Sequence, residues 1–181
     1  MAFVPDSTDP AFNAYCDILF ADDYHEYRLH NSVYKAATVE DKEAAIVWAT
    51  RLIDTLTFAG VRTDPMQPRQ FPRTGICVDL TCTGEYDPLV IPRILKEATA
   101  ELALLLLTGD PTGVAGTTSV TSTNEFKKIV VDTIELEYNT GDPVTFKGYG
   151  GVSWMTPAIS GLLAGLLPRT SSLYVARVIR T

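Results

Sequence analysis

Residues 38–58, TVEDKEAAIVWATRLIDTLTF, decide the fold. Ala45, Trp48, Ala49, Leu52, Ile53 and Leu56 recur at helical spacing and form one apolar stripe. Glu43, Thr50, Arg51 and Asp54 fall on the opposite face. Thr38 and Asp41 make a capping box with Asp in place of Glu, and Gly60 supplies a stop. The spacing predicts a helix over 39–58, a rod of roughly 30 Å. A rod of that length with one apolar side has to be covered, so it is read as the central core helix.

Two more helices follow from the same logic. Pro92 suits a first helical position and Gly109 an end, which predicts a helix over 92–108. Ile94, Leu95, Ala98, Leu102, Leu105 and Leu106 form its stripe. Leu104 and Leu107 widen that stripe, so the last turns should be deeply buried or shared with a neighbouring subunit. A helix over 155–167 is expected between a Ser153 cap and Pro168, with Ile159, Leu162, Leu163 and Leu166 inward. Gly161 and Gly165 in it would allow a close helix approach. A shorter helix is expected over 21–29, ADDYHEYRL, with Asp22 and Asp23 in its first turn, where the helix dipole favours carboxylates.

Residues 1–13 read as an irregular lead-in. Ile76, Val78 and Leu80 alternate as a short strand, and 126–138 is a strand region with a bend near Asp132. The fold class is mainly α: a small helical bundle with short β-strands and an extended C-terminal arm. Residues 1–168 are the body and 169–181 the arm.

The chain has 181 residues and a net charge of −7. No acidic residue follows Asp142, so the last part carries +4 and the rest −11. An acidic body is ill suited to general nucleic-acid binding, whereas a basic tail suits docking on an acidic neighbour, another copy of this chain included. The arm, RTSSLYVARVIRT, is β-prone. It reads equally as a strand added to another chain's sheet edge and as a terminal strand of its own domain. The longest apolar run near a helix end, Leu102 to Leu107, is far short of a membrane span. The N-terminus shows no basic segment followed by an apolar one. Cys16, Cys77 and Cys82 form neither a disulfide framework nor a zinc ligand set. Cys77 and Cys82 could pair, but a reduced setting is the expectation.

Residues 59–75, AGVRTDPMQPRQFPRTG, are too rich in proline for a regular element. Arg62, Arg69 and Arg73 in this loop could hold an anion or partner, lie solvated, or pair with the acidic first helix. Residues 109–119, GDPTGVAGTTS, lack the Gly-Lys-Ser/Thr ending and the preceding strand of a phosphate loop. His25 and His30 have no ligand partners at metal spacing. No nucleophile and base pair up. No cofactor, metal or catalytic residue is therefore assigned, and the chain is not expected to be an enzyme.

Several segments together resemble a family of tailed-phage proteins known both as head–tail connectors (adaptors) and as DnaT-like single-stranded-DNA-binding proteins. They are NAY at 13–15, ADDYHEYR at 21–28, DKEAAIVWATRLID at 41–54, GVRTDPMQPRQFPRTGI at 60–76, IPRILKEATAELAL at 91–104 and the strand ending in Glu137-Tyr138. Tyr34, where the family tends to have tryptophan, and the Gly/Thr-rich loop at 110–124 depart from the pattern. The resemblance implies a virion protein of the neck, made in the host cytoplasm, that forms a ring, usually of twelve copies, beneath the portal. It joins capsid to tail, and DNA passes through its lumen only as cargo. The implied partners are the portal protein, a tail, nozzle or stopper protein, and the chain itself; no membrane is involved. Arg169, Leu173, Tyr174, Val175, Arg177, Val178 and Arg180 would form the portal-binding arm. Arg62, Gln67, Arg69, Phe71 and Arg73 would contact neighbouring subunits or the tail. The alternative is a single-stranded-DNA-binding protein, which would need a basic groove with stacking aromatics.

Overall fold

A computed structural model of the chain describes residues 2–78, 82–109, 128–131, 134–137 and 154–168. In chain order the elements are α1 (Ile18–Glu26), α2 (Ser32–Ala36), α3 (Val39–Ile53), β1 (Val61–Arg62), β2 (Arg73–Thr74), α4 (Arg93–Thr108), β3 (Lys128–Val131), β4 (Ile134–Glu137) and α5 (Pro157–Leu163). The fold is mainly α. α4 is the hub: α3 packs along it, and α1, α2 and α5 close its other sides. Among the described residues, no helix is long and apolar enough to cross a membrane.

α3 begins as the capping box requires. The Thr38 hydroxyl accepts from the Asp41 N–H (3.2 Å) and donates to Asp41 Oδ2 (2.9 Å). The helix ends at Ile53, short of the expected 58, where the ladder tightens into turns, Thr55 N–H to Leu52 and Leu56 N–H to Ile53. Gly60 is not its stop. At φ +66° it faces the β1–β2 ladder, and a Cβ there would meet the Thr74 carbonyl oxygen at 2.2 Å. The buried face is turned by about one residue from the expected stripe. Ala45, Ile46, Ala49, Thr50 and Ile53 face inward, while Trp48 is 43% exposed. Thr50 is tolerated inside because its hydroxyl is satisfied twice. It donates to the Ile46 carbonyl at 2.9 Å and accepts from the Tyr15 N–H at 3.1 Å.

In α4, Ala98, Ala100 and Ala103 alternate with Leu95, Leu102 and Leu104, all buried. Small residues on several sides let several helices approach at once. Each fully buried leucine contributes about 1.5–3 kcal/mol. Leu105 to Leu107, expected to be the deepest part, are only half-buried. Pro92 is the residue before the helix rather than its first residue.

α1 starts earlier than expected because the Asp17 side chain accepts from the Phe20 N–H at 2.8 Å. Asp22 and Asp23 are thus mid-helix. α5 is capped by Thr156, not Ser153, and spans only Pro157–Leu163. Among the described residues, nothing lies within 4 Å of where a Cβ would sit on Gly161 or Gly165, so neither mediates a close helix approach there.

The irregular lead-in stays exposed or half-buried over residues 2–11 and enters the core only at its end. Phe12, Asn13, Ala14, Tyr15 and Cys16 are all buried. Asn13 makes this possible by donating to the Ala2 carbonyl (2.6 Å) and accepting from the Val4 N–H (2.9 Å).

The β-structure is sparse. Within the 59–75 loop, β1 and β2 pair antiparallel, Val61 with Thr74 and Arg62 with Arg73. Ile76 and Val78 do not form a full strand. A single bridge, Cys77 with Glu85, is flanked by bonds from Tyr86 N–H to Ile76 and from Val78 N–H to Gly84. That narrow turn brings Cys77 and Cys82 to a Cα separation of 4.8 Å, and they are joined as a disulfide, not free. Within the expected strand region, β3 and β4 pair antiparallel, Val131 opposite Ile134 and Lys128 opposite Glu137; the expected bend near Asp132 lies outside the described residues.

Candidate functional site

The loop at 59–75 is tied to the body by its own polar residues. The Tyr15 hydroxyl donates to Asp54 Oδ1 and accepts from the Phe71 N–H at 3.3 Å. The Gln70 N–H also donates to Asp54 Oδ1 (3.3 Å), and Arg69 donates to Asp54 Oδ2 and the Phe12 carbonyl, both at 3.4 Å. Burial raises the Asp54 carboxyl above its ordinary value, against the opposing pull of Tyr15, Gln70 and Arg69. Burial and then Asp54 push the Tyr15 phenol well up. Phe71 is core, edge-on to Tyr15 and Phe58.

The remaining polar residues of the loop hold its own backbone. Gln67 donates to the carbonyls of Arg69 and Pro72, each at 2.9 Å. Arg73 gathers the carbonyls of Phe58 (3.3 Å), Ala59 (2.8 Å), Gly60 (2.7 Å) and Gln70 (3.3 Å). Burial lowers the Arg73 pKa. So of the five expected contact residues, Gln67, Arg69, Phe71 and Arg73 are turned inward. Arg62 is exposed and donates to Gln70 at 3.4 Å. The seven expected arm residues, Arg169 to Arg180, lie outside the described residues.

A different surface collects outward chemistry. Phe20, Asp23 and Tyr24 share one face of α1, and Tyr27 and Arg28 continue it just past the helix end. Opposite them stand Arg93 and Glu97 of α4's first turns, and together these residues line a cleft of about 620 Å³. Phe20 and Arg93 also line an adjoining cleft of about 470 Å³, with Tyr86, Asp87, Val90 and Lys96. The two form one groove carrying four aromatic rings.

The groove is built rather than incidental. Glu101 anchors its floor, accepting from the Tyr24 hydroxyl at 2.9 Å and from Arg28 Nε at 2.6 Å. Burial and the adjacent Glu101 raise the Tyr24 phenol, and the bond to Glu101 raises Arg28. Arg93 bonds Glu97 at 2.8 Å, yet its side chain is 81% exposed. Lys96 sits 5.6 Å over the Phe20 ring. Tyr27 is 89% exposed. Arg28, Arg93 and Lys96 stand among Asp23, Asp87 and Glu97 on the lining, and Glu101 beneath adds a fourth carboxylate. Residues 2–109 as a whole carry 16 carboxylates against nine Lys and Arg. Rings with planar or ammonium cations beside them can stack flat aromatic groups and hold anions.

Sequence reasoning missed this groove. The signal was present in the spacing of Phe20, Tyr24, Tyr27 and Arg28, but placing the helix start at 21 cut Phe20 off. Tyr86, Arg93 and Lys96 join only through tertiary packing. Among the described residues, no group of three His, Cys, Asp or Glu is placed to hold a metal. Beneath the groove, His25 is buried and donates from Nε2 to the Ala100 carbonyl at 3.0 Å, while its Nδ1 has no partner among the described residues.

The family described as "Putative DnaT-like ssDNA binding protein" matches residues 1–181. No curated protein and no solved structure matches the chain.

Proposed function

The chain belongs to the DnaT-like single-stranded-DNA-binding family, and from that premise we propose that it binds single-stranded nucleic acid without catalysis, in the groove between α1 and α4. One observation carries this reading: four aromatic rings and three cations meet in a single groove of an acidic body. Base stacking on aromatic side chains contributes about 1–3 kcal/mol per base and tolerates any sequence. The cations supply phosphate contacts. If all three engage, the logarithm of affinity should fall with the logarithm of salt at a slope near −2, from roughly −0.7 per contact.

The test is fluorescence anisotropy with a labelled oligothymidylate from low to moderate salt. Binding that weakens with that slope, and that drops on Tyr27→Ala and Arg93→Glu, supports the reading. An absence of binding at low salt, or binding indifferent to both substitutions, overturns it.

A second reading is favoured by a separate observation, the excess of carboxylates over cations in residues 2–109 together with the inward arginines of the 59–75 loop. In this reading the chain is a structural head-to-tail adaptor of the virion neck. A ring of copies under the portal would present an acidic wall that DNA slides past, since like charges repel, and the basic arm from Arg169 to Arg180 would dock on the portal. Its partners would be the portal, a tail-side stopper and further copies of itself. Sedimentation with a cognate portal protein separates the two readings. A stable complex with many copies per portal ring supports the adaptor, and no complex removes it.

A further inference from the structure

We propose that a second groove, between the N-terminal segment and α3, is the resting seat of the chain's own C-terminal segment, residues 169–181. The groove encloses about 450 Å³; Phe3, Ala44, Val47 and Trp48 are its apolar lining, and Glu40 and Glu43 outnumber its one cation, Arg51. Its walls are fixed. Asn13 pins the N-terminal segment through the Ala2 carbonyl and the Val4 N–H, and α3 is anchored in the core. Trp48 is 43% exposed on the central helix of the fold, with the Arg51 guanidinium 5.9 Å from its ring centroid.

Three observations choose the occupant. The first is charge. Residues 169–181 carry Arg169, Arg177 and Arg180 and no acid, whereas Glu40 and Glu43 face the groove with no ion pair among the described residues. The second is apolar content: Leu173, Tyr174, Val175, Val178 and Ile179 match an apolar lining. The third is reach. The Leu166 carbonyl accepts from the Ala59 N–H at 2.9 Å, so the chain leaves the described body just beyond the C-terminal end of α3. Thirteen residues extend to roughly 43 Å. The path back to Trp48 covers five residues of α3 and the short turn after it, at most roughly 30 Å. A tether this short supplies an effective concentration in the millimolar range, which favours the chain's own segment over a second copy.

Trypsin on the full-length protein tests this, with cleavage after Arg177 followed by intact mass. Seating should slow that cleavage about tenfold relative to a free peptide of residues 169–181, because cutting then tracks the unseated fraction. The protection should hold from 1 to 100 µM protein, values on the order of an ordinary dilution series. Glu40→Lys with Glu43→Lys should return the rate to that of the peptide. So should Arg177→Lys with Arg180→Glu, which leaves the body untouched and a cleavage site in place. Cleavage at the peptide's rate in the unaltered protein overturns the proposal. Protection that survives both charge changes overturns it too, since the segment is then covered elsewhere. Protection that appears only at high protein concentration assigns the groove to a second copy instead.

Discussion

Two regions of this molecule carry arginine beside aromatic rings, and they use the pairing in opposite ways. In the 59–75 loop, Arg69 and Arg73 turn inward and spend their donors on Asp54 and on backbone carbonyls, with Phe71 buried beside them. In the α1–α4 groove, Tyr27 is exposed and Arg93 keeps an exposed side chain while bonding Glu97, whereas Arg28 and Tyr24 are anchored on Glu101. The difference lies in what the local backbone leaves unsatisfied. A loop without regular structure exposes carbonyls that need donors, so its arginines are recruited as internal scaffolding. A helix satisfies its own carbonyls and leaves its side chains free to face outward. Arginine in an irregular loop is therefore weak evidence of a binding surface, and arginine on a helix beside rings is stronger evidence.

Substitutions should separate the two regions cleanly. The largest effect is expected from Phe71→Ala, which should cost about 3–5 kcal/mol of stability by opening a cavity among Tyr15 and Phe58. Urea denaturation would show it as a lower midpoint with an unchanged slope. Asp54→Ala should follow at about 2–4 kcal/mol, since Tyr15, Gln70 and Arg69 all lose their acceptor. A loss under 1 kcal/mol in either variant, on the order of an ordinary surface change, would mean the loop is not held as described.

Tyr27→Ala belongs to the other region and should behave in reverse. Its stability should stay within about 0.5 kcal/mol, while oligonucleotide affinity falls by about 1–3 kcal/mol, the loss of one stacked base. If Tyr27→Ala and Phe71→Ala lowered affinity equally at matched folded fraction, the division into scaffold and surface would fail.

The smallest effect is expected from pH. Burial lowers the His25 pKa below its ordinary value, and Nδ1 would become a buried donor without an acceptor if the ring were protonated. The unfolded chain then binds a proton more readily than the folded one. Stability from this group should be full above about pH 6.5, the ordinary histidine value, and decline as pH falls below it towards the folded pKa. Urea midpoints measured across that window should drop on acidification, and His25→Gln should flatten the change.

The three main helices were legible because each has an apolar repeat of 3.6 residues long enough to average out exceptions. Their ends were less legible. α3 stops at Ile53 in tight turns, and the next residue, Asp54, accepts from Tyr15 and Gln70, 39 and 16 positions away. Thr50 reads as polar in any scale, yet it is buried because Tyr15 needs an acceptor for its N–H. The buried stretch from Phe12 to Cys16 has no periodicity to detect, and its burial depends on Asn13 replacing a backbone ladder with side-chain bonds. The disulfide between Cys77 and Cys82 rests on a turn closed by Glu85 and Gly84, which spacing alone does not specify.

By itself, then, the sequence determined the class of the fold, the identity of its central helix and the split between an acidic body and a basic end. These are properties of local periodicity and composition, and they need no partner to be true. Tertiary structure alone decided which cations are spent and which are available. Whether an arginine meets a distant carbonyl or solvent depends on backbone brought in from distant positions, as Arg69 meets Asp54 and Phe12 while Arg93, paired with Glu97 on its own helix, stays 81% exposed. It also decided where the aromatic groove lies, because Phe20, Tyr86 and Arg93 share a wall only once α1 has packed against α4.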